Sequence, residues 1–448
     1  MKHLTPNDIV NLVFQAGIVG AGGGGFPTHV KLKATVDTIL ANGSECEPLL
    51  ASDKTLMKNN AFDIVQGMKL AMQATSAKQG IIAVKGHYTD VVAALEEAVK
   101  NETSIKIHKL ENYYPAGDEF LTVYDATGRI IPEGGLPLHV GVVVSNVLSL
   151  AQITQAVSGK PVTERIVTIA GEVNKPCVVS VPIGTPYKDL INLAEGKSDP
   201  DAQVIDGGPM MGNVVKDLNA GIAKTTSGLV VLSKNSLVVR MKEISLGQMI
   251  KLSKSACCQC FRCTDLCPRN LLGHELYPHA TMRTLDYNSA EATKHITSAF
   301  LCSQCGVCEL IACDFMLLSP KRIYAAYRKE LVAKGIKNPH SKKPEQVTSA
   351  YEDRKVSVAM VMKKLGIEKY YKKNIPFLGN MNTNFVSIPI NKHIGAPSLP
   401  AVNVGQSVSM GDMIATCPEK ALGANYHASI SGEVVEVTES YINLRKKP

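Results

Sequence analysis

Apolar positions in the first 160 residues change period several times. Thr5-Pro6-Asn7-Asp8 reads as a helix start, with Thr5 as cap, Pro6 in the first turn and an acid at the third position. Ile9, Val13 and Phe14 continue that helix toward a stop at Gly17. A glycine-rich loop follows, and Thr38-Ile39-Leu40 predicts a short strand running into the polar loop 42–48. Ile64, Met68, Ala71 and Met72 mark a helix face, and residues 80–85 form the continuous apolar run of a buried strand. Thr89 is expected to cap a helix carrying Val92, Leu95 and Val99, and residues 104–110 alternate as a strand. Strand–helix alternation of this kind predicts an α/β layer with a largely parallel sheet over 1–160.

The texture then changes. Residues 167–173, 178–181 and 204–208 read as strands around a short helix at 187–193, a small α+β module (161–235) that fits a β-grasp unit. Residues 245–330 are rich in cysteine, and 331–384 read as a basic linker. In 385–448, short strands at 402–408, 413–416, 427–430 and 434–437 alternate with turns at Gly405, Gly411 and Gly432, predicting a small all-β sandwich or barrel. The expected architecture is therefore multidomain, α/β and α+β, ending in an all-β module.

Composition narrows the function. The 448 residues are 45% hydrophobic and 20% charged, as in a globular protein. No Trp and 5% aromatic residues argue against a stacking platform for nucleic acid. The net charge of +8 gathers partly in Lys342-Lys343, Lys363-Lys364, Lys372-Lys373 and Lys446-Lys447, read as solvated faces, with docking of an acidic redox partner as the alternative. Neither a signal-peptide pattern nor an apolar run long enough for a membrane span is present, so a cytoplasmic protein is expected.

Eight of the twelve cysteines fall in two runs, Cys257-x2-Cys260-x2-Cys263-x3-Cys267-Pro268 and Cys302-x2-Cys305-x2-Cys308-x4-Cys313. Three thiolates at this spacing wrap one [4Fe–4S] cube, and in two-cluster ferredoxins the fourth reaches the other cube. The expected sets are Cys257, Cys260, Cys263 and Cys313 for one cluster, and Cys302, Cys305, Cys308 and Cys267 for the other. Paired structural zinc sites are the alternative, but they usually draw on separated Cys pairs. The second run is longer by one residue and has Asp314 where proline is common. Cys258, Cys46, Cys177 and Cys417 are read as non-ligands.

Gly20-x-Gly22-x2-Gly25 formally matches a dinucleotide fingerprint, but a helix rather than a strand precedes it. The longer string Gly17–Thr28, with Lys31 after it, resembles the FMN loop of the flavin-bearing component of respiratory complex I and of the RnfC family. Side-chain-free backbone at Gly20, Gly22, Gly23 and Gly25 suits a phosphate, and Lys31 adds charge. Three further stretches follow in the family's order: the loop with Asn42, Glu45 and Glu47; Tyr114-Pro115-Ala116-Gly117-Asp118-Glu119; and Ser145-Asn146-Val147. The resemblance implies FMN contacts from Asn42, Glu45, Glu47, Tyr114, Gly117, Asp118 and Asn146, with Glu119 as the catalytic acid on the nicotinamide side and NADH as donor. Ser145 replaces an Asn of the family.

RnfC-like proteins carry their barrel-sandwich module before the flavin domain, whereas here the similar module comes last (385–448). That order resembles the PduS family of cobalamin reductases from bacterial microcompartments, over essentially the whole chain. The family resemblance implies an FMN/NADH domain, a β-grasp soluble-ligand-binding (SLBB-like) module that is by analogy a candidate corrinoid contact, a two-[4Fe–4S] ferredoxin-like domain and a barrel-sandwich hybrid. It further implies NADH-dependent reduction of cobalamin in a propanediol-type microcompartment. Cobalamin or cobalamin adenosyltransferase and a shell protein would be the partners. The alternatives are an RnfC-like component of an NADH:ferredoxin oxidoreductase and a non-enzymatic electron conduit across a shell.

Overall fold

A computed structural model describes residues 4–285, 292–372 and 375–447. Lys373, in one of the basic runs, lies outside the described residues. The first helix, Pro6–Gln15, begins as its sequence predicts: Thr5 and Asp8 cap each other's backbone amides in a capping box. The helix Thr89–Val99 differs, because Thr89 is its first residue and the capping position falls to Tyr88, which makes no side-chain cap bond.

Four strands build the N-terminal sheet: β1 (Thr38–Gly43), β2 (Gln79–Lys85), β3 (Ile105–Leu110) and β4 (Val142–Asn146). All pair in parallel, in the order β3-β2-β1-β4. Both faces of β1, β2 and β4 are covered, which is why those strands read as apolar runs, whereas the edge strand β3 alternates. Ile39, Ala41, Ile82, Val84 and Val143 meet helices Ala61–Thr75 and Val147–Val157 on one face. Leu40, Ile81, Ala83, Val142 and Val144 meet Val123 of helix Glu119–Thr127 on the other. The chain steps away from β1 through β2 and β3, then returns to its opposite side with β4. The direction of winding therefore reverses between β1 and β4, and their carboxyl ends, Asn42 and Asn146, are register partners. Open α/β sheets bind ligands at such a point.

Next comes a mixed sheet with strands at Glu164–Gly171, Cys177–Pro182, Gln203–Asp206, Asn213–Val214 and Gly228–Leu232, packed with the helix Tyr187–Leu193. Its outermost strand, Phe377–Asn380, runs parallel to Cys177–Pro182 and comes from the segment expected to be a linker. The same segment pairs Val356–Ser357 with Tyr113–Tyr114 and buries Val361 and Leu365 of the helix Val358–Leu365. Residues 331–384 thus tie three domains together. The C-terminal residues form a sandwich, with Phe385–Pro389, Tyr441–Arg445, Gly432–Val437 and Ser407–Val408 in one sheet and Leu399–Pro400, Met413–Thr416 and Tyr426–His427 in the other. Val386, Ile388, Ile442 and Leu444 join the same core as the N-terminal domain. No helix among the described residues is long and apolar enough to cross a membrane.

Candidate functional site

The glycine loop lies beside the carboxyl ends of β1 and β4. It closes on itself through Gly20 N–H to the Phe26 carbonyl (2.8 Å) and Gly25 N–H to the Gly20 carbonyl (3.0 Å). A Cβ at Gly22 would stand 3.4 Å from Asn146 Nδ2, so the loop runs tight against the end of β4. At Gly23 and Gly24 a Cβ would meet nothing within 4 Å, so the loop's crown is open to receive a group. Gly23 also has φ +95°, a conformation natural to glycine. The residues fit an anion cradle of the kind a flavin phosphate needs.

Polar groups from five segments border the loop. Lys31 Nζ donates to the Val144 carbonyl (3.0 Å) and stands 3.6 Å from Glu119 Oε1. Asn42 Nδ2 donates to the Gly117 carbonyl (2.9 Å), joining the end of β1 to the 114–119 loop. Asn146 Oδ1 caps the helix Val147–Val157, while its Nδ2 donates to Asp53 Oδ2 (2.7 Å). Glu45 accepts from the amides of Asp53 (2.9 Å) and Lys54 (2.7 Å) at the start of the helix Ser52–Asn59. Burial, then the neighbouring Asp53 carboxylate, pushes the Glu45 carboxyl up to about 7. A carboxyl poised there can take or give a proton near neutral pH.

Two of the residues implied by resemblance point away from the crevice. Glu47 accepts from the amides of Met210 (3.0 Å) and Met211 (2.7 Å), fastening the acidic loop to the module that follows. Tyr114 is 2% exposed, and its hydroxyl donates to the Cys305 carbonyl (2.6 Å) in the cysteine segment. Asp118 faces both ways: Oδ1 accepts from Phe120 N–H, and Oδ2 accepts from Arg269 Nη2 (3.1 Å) in a pair only 6% and 9% exposed. Arg269 also lies over the Phe120 ring, 3.4 Å from its centre.

Three crevice groups were not anticipated. Asp53 is the first, held by the amide of Asn146. Cys46, read as a non-ligand, accepts from Gly117 N–H (2.6 Å). Lys85, the last residue of β2, is 1% exposed with Cys46 and Glu45 as its titratable neighbours. A lysine closing an apolar strand of a parallel sheet is a readable signal, because the carboxyl end is where such sheets bind ligands.

The cysteines ring two cavities. Cys267, Cys302, Cys305 and Cys308 line the first, with Arg269, Lys321 and Tyr324. Cys257, Cys260, Cys263 and Cys313 line the second, with Cys258, Phe261 and Phe315 at its rim. The extra residue of the second run is absorbed in a single π-helical turn, Cys308–Ala312, after which Cys313 falls beside Cys263. The runs repeat one local device: Gln259 and Gln304, both with positive φ, donate to Cys257 Sγ and Cys302 Sγ at 3.2 Å. Among the described residues no three Cys, His, Asp or Glu side chains converge on a single-ion site. Four thiols around a cavity suit a cube, whereas a zinc ion requires all its sulfurs at about 2.3 Å. Burial pushes the Cys267 and Cys305 thiols up to about 12, a cost that ligation of iron offsets.

Comparison with known proteins adds four family matches: the Nuo51 FMN-binding domain over residues 13–155, the SLBB domain over 166–214, the 4Fe-4S dicluster domain over 256–317 and the RnfC barrel sandwich hybrid domain over 364–447. Cobalamin reductase PduS of Citrobacter freundii is 41% identical over 96% of this chain and 95% of its own. Its namesake from Salmonella typhimurium is 39% identical, over 98% and 97%. A component of the Na(+)-translocating ferredoxin:NAD(+) oxidoreductase complex of Acetobacterium woodii is 36% identical, over 60% of each chain.

Proposed function

The chain belongs to the PduS family of cobalamin reductases, and from that premise we propose that it uses NADH to reduce cob(III)alamin to cob(II)alamin and on to cob(I)alamin. FMN and two [4Fe–4S] clusters, when bound, convert a two-electron hydride into single electrons. The chain's own residues divide the remaining work. Gly20 and Gly25 close the loop through their own amides, Gly22 and Gly23 leave theirs to the phosphate, and Asn42, Gly117 and Asn146 order the wall on which the ring would rest. Lys31 holds Glu119 at the crevice, the position from which an acid can orient the nicotinamide. Glu45, its carboxyl pushed up by burial and by Asp53, fastens the start of the helix Ser52–Asn59 beside the loop.

The observation that carries the reading is the double bridge from crevice to cysteines. Asp118 reaches Arg269 beside Cys267, and Tyr114 reaches the Cys305 carbonyl. Both bridges end on the cavity of Cys267, Cys302, Cys305 and Cys308, so this is the inner cavity. The cavity of Cys257, Cys260, Cys263 and Cys313 is the outer one, opening to solvent at the exposed Cys258 and Cys260. In this reading the outer site meets the acceptor, cobalamin itself or cobalamin bound to an adenosyltransferase, and a microcompartment shell protein is the neighbour. The near-complete match to the PduS chains, against 60% for the ferredoxin:NAD(+) oxidoreductase component, favours this reading over a part in an ion-translocating complex.

Anaerobically prepared chain carrying about eight irons and one FMN should bleach its flavin with NADH and then reduce cob(III)alamin without a membrane partner. Bleaching without cobalamin reduction would move the reading to another acceptor. No bleaching would leave an electron conduit.

A further inference from the structure

Two buried basic side chains stand behind the glycine loop, and the β-grasp module delivers both. Arg165, on the strand Glu164–Gly171, is 2% exposed. Its Nε donates to the Thr226 carbonyl (2.6 Å) and its Nη2 to the carbonyl of Ala21 within the loop (2.6 Å). Its Nη1 is buried without a partner. Lys224, 3% exposed, donates to the carbonyls of Gly17 (2.7 Å) and Asn425 (2.6 Å) and lies 4.0 Å from the centre of the Tyr426 ring. Between them, Thr225 backs Gly25, where a Cβ would stand 3.2 Å from Thr225 Cγ2. The loop's front, at Gly23 and Gly24, is open.

Among the described residues neither group has a carboxylate within ion-pair distance. The acids that face Arg165 are Asp53, Asp206 and Glu45. Asp53 is engaged by Asn146, Glu45 by a helix start, and Asp206 by the hydroxyls of Tyr187 (2.7 Å) and Thr226 (3.2 Å). Neither side chain makes an ion pair, burial lowers the Lys224 ammonium to about 7, and a dianion on the far side of the loop would hold both in the charged form. The amides of Gly20, Ala21 and Gly25 are engaged, and with the carbonyls pinned from behind those of Gly22, Gly23 and Gly24 are left for a ligand.

We propose that the β-grasp module is the back wall of the phosphate loop, with Arg165 and Lys224 as positioning residues that make the loop selective for a phosphorylated flavin. The module is then part of the flavin site, not only a separate contact for a soluble ligand. This rests on the flavin reading of the crevice, and the test separates the two.

Full-length chain stripped of flavin is titrated with FMN and with riboflavin, which lacks the phosphate. The unaltered chain should prefer FMN by at least about 100-fold, the scale of a few charge-assisted contacts. Arg165→Met and Lys224→Met should each shrink that preference about tenfold while riboflavin affinity and iron content hold. Arg165→Lys, which keeps the charge with less disturbance of the fold, should retain most of the preference. Equal loss of FMN and riboflavin affinity in the Met variants would mean a purely structural role and overturn the proposal, as would an unchanged preference. On the unaltered chain alone, equal affinity for both flavins overturns it too. Binding of neither flavin by the unaltered chain would instead sink the flavin reading itself.

Discussion

The two cysteine cavities are built from the same short device and yet sit in opposite surroundings. Around the inner one, Cys305 and Cys308 are buried, Arg269 and Lys321 are paired with Asp118 and the buried Glu309, and Tyr114 and Asp118 connect it to the crevice. Around the outer one, Cys260 is exposed and the rings of Phe261 and Phe315 are 51% and 69% exposed. The inner cavity is enclosed by paired buried charges, whereas the outer one has a solvent-facing apolar rim fit for an acceptor. Position, more than ligand type, assigns the two their roles.

The comparison breaks most visibly if the inner ring is cut. Cys305→Ser should lower iron from about eight to about four per chain and cobalamin reduction by at least about 100-fold, with flavin bleaching by NADH retained. Iron analysis and anaerobic stopped flow read both effects. Next in size is the buried pair that holds the bridge. Arg269→Met would leave Asp118 without its partner and should cost about 3 kcal/mol in chemical unfolding. Tyr114→Phe is gentler, because it only leaves the buried Cys305 carbonyl unsatisfied. A loss of about 1–2 kcal/mol is expected, with slower transfer between crevice and cavity but full iron content. At the outer rim, Phe315→Ser should leave stability within about 0.5 kcal/mol and raise KM for the acceptor, with NADH bleaching unchanged. Cys258→Ala should do least, with iron content as in the unaltered chain.

Much of this was legible in the sequence, for a physical reason. The cysteines that line each cavity sit mostly three residues apart in one loop, so the pattern is local, and the glycine loop announces itself by the absence of side chains. The crevice acids could be placed in order but not in role. Glu47 and Tyr114 lie within the resembling stretches, yet tertiary contacts turn them toward Met210 and Cys305. Arg165 and Lys224 carry no local signal at all, because each acquires its meaning from a loop more than a hundred residues away. The segment 331–384 misleads for the opposite reason. Its paired strands, Val356–Ser357 and Phe377–Asn380, are too short to show a period, and only their partners define them. The longer Cys308–Cys313 interval likewise becomes intelligible only as a π-helical turn.

The order of the two cavities is the central claim, and rapid-freeze EPR of the Cys305→Ser chain mixed anaerobically with NADH tests it most directly. Bleached flavin is expected, with an outer cluster that stays oxidised or reduces at least about 100-fold more slowly than in the unaltered chain. An outer cluster reduced at the unaltered rate would contradict it.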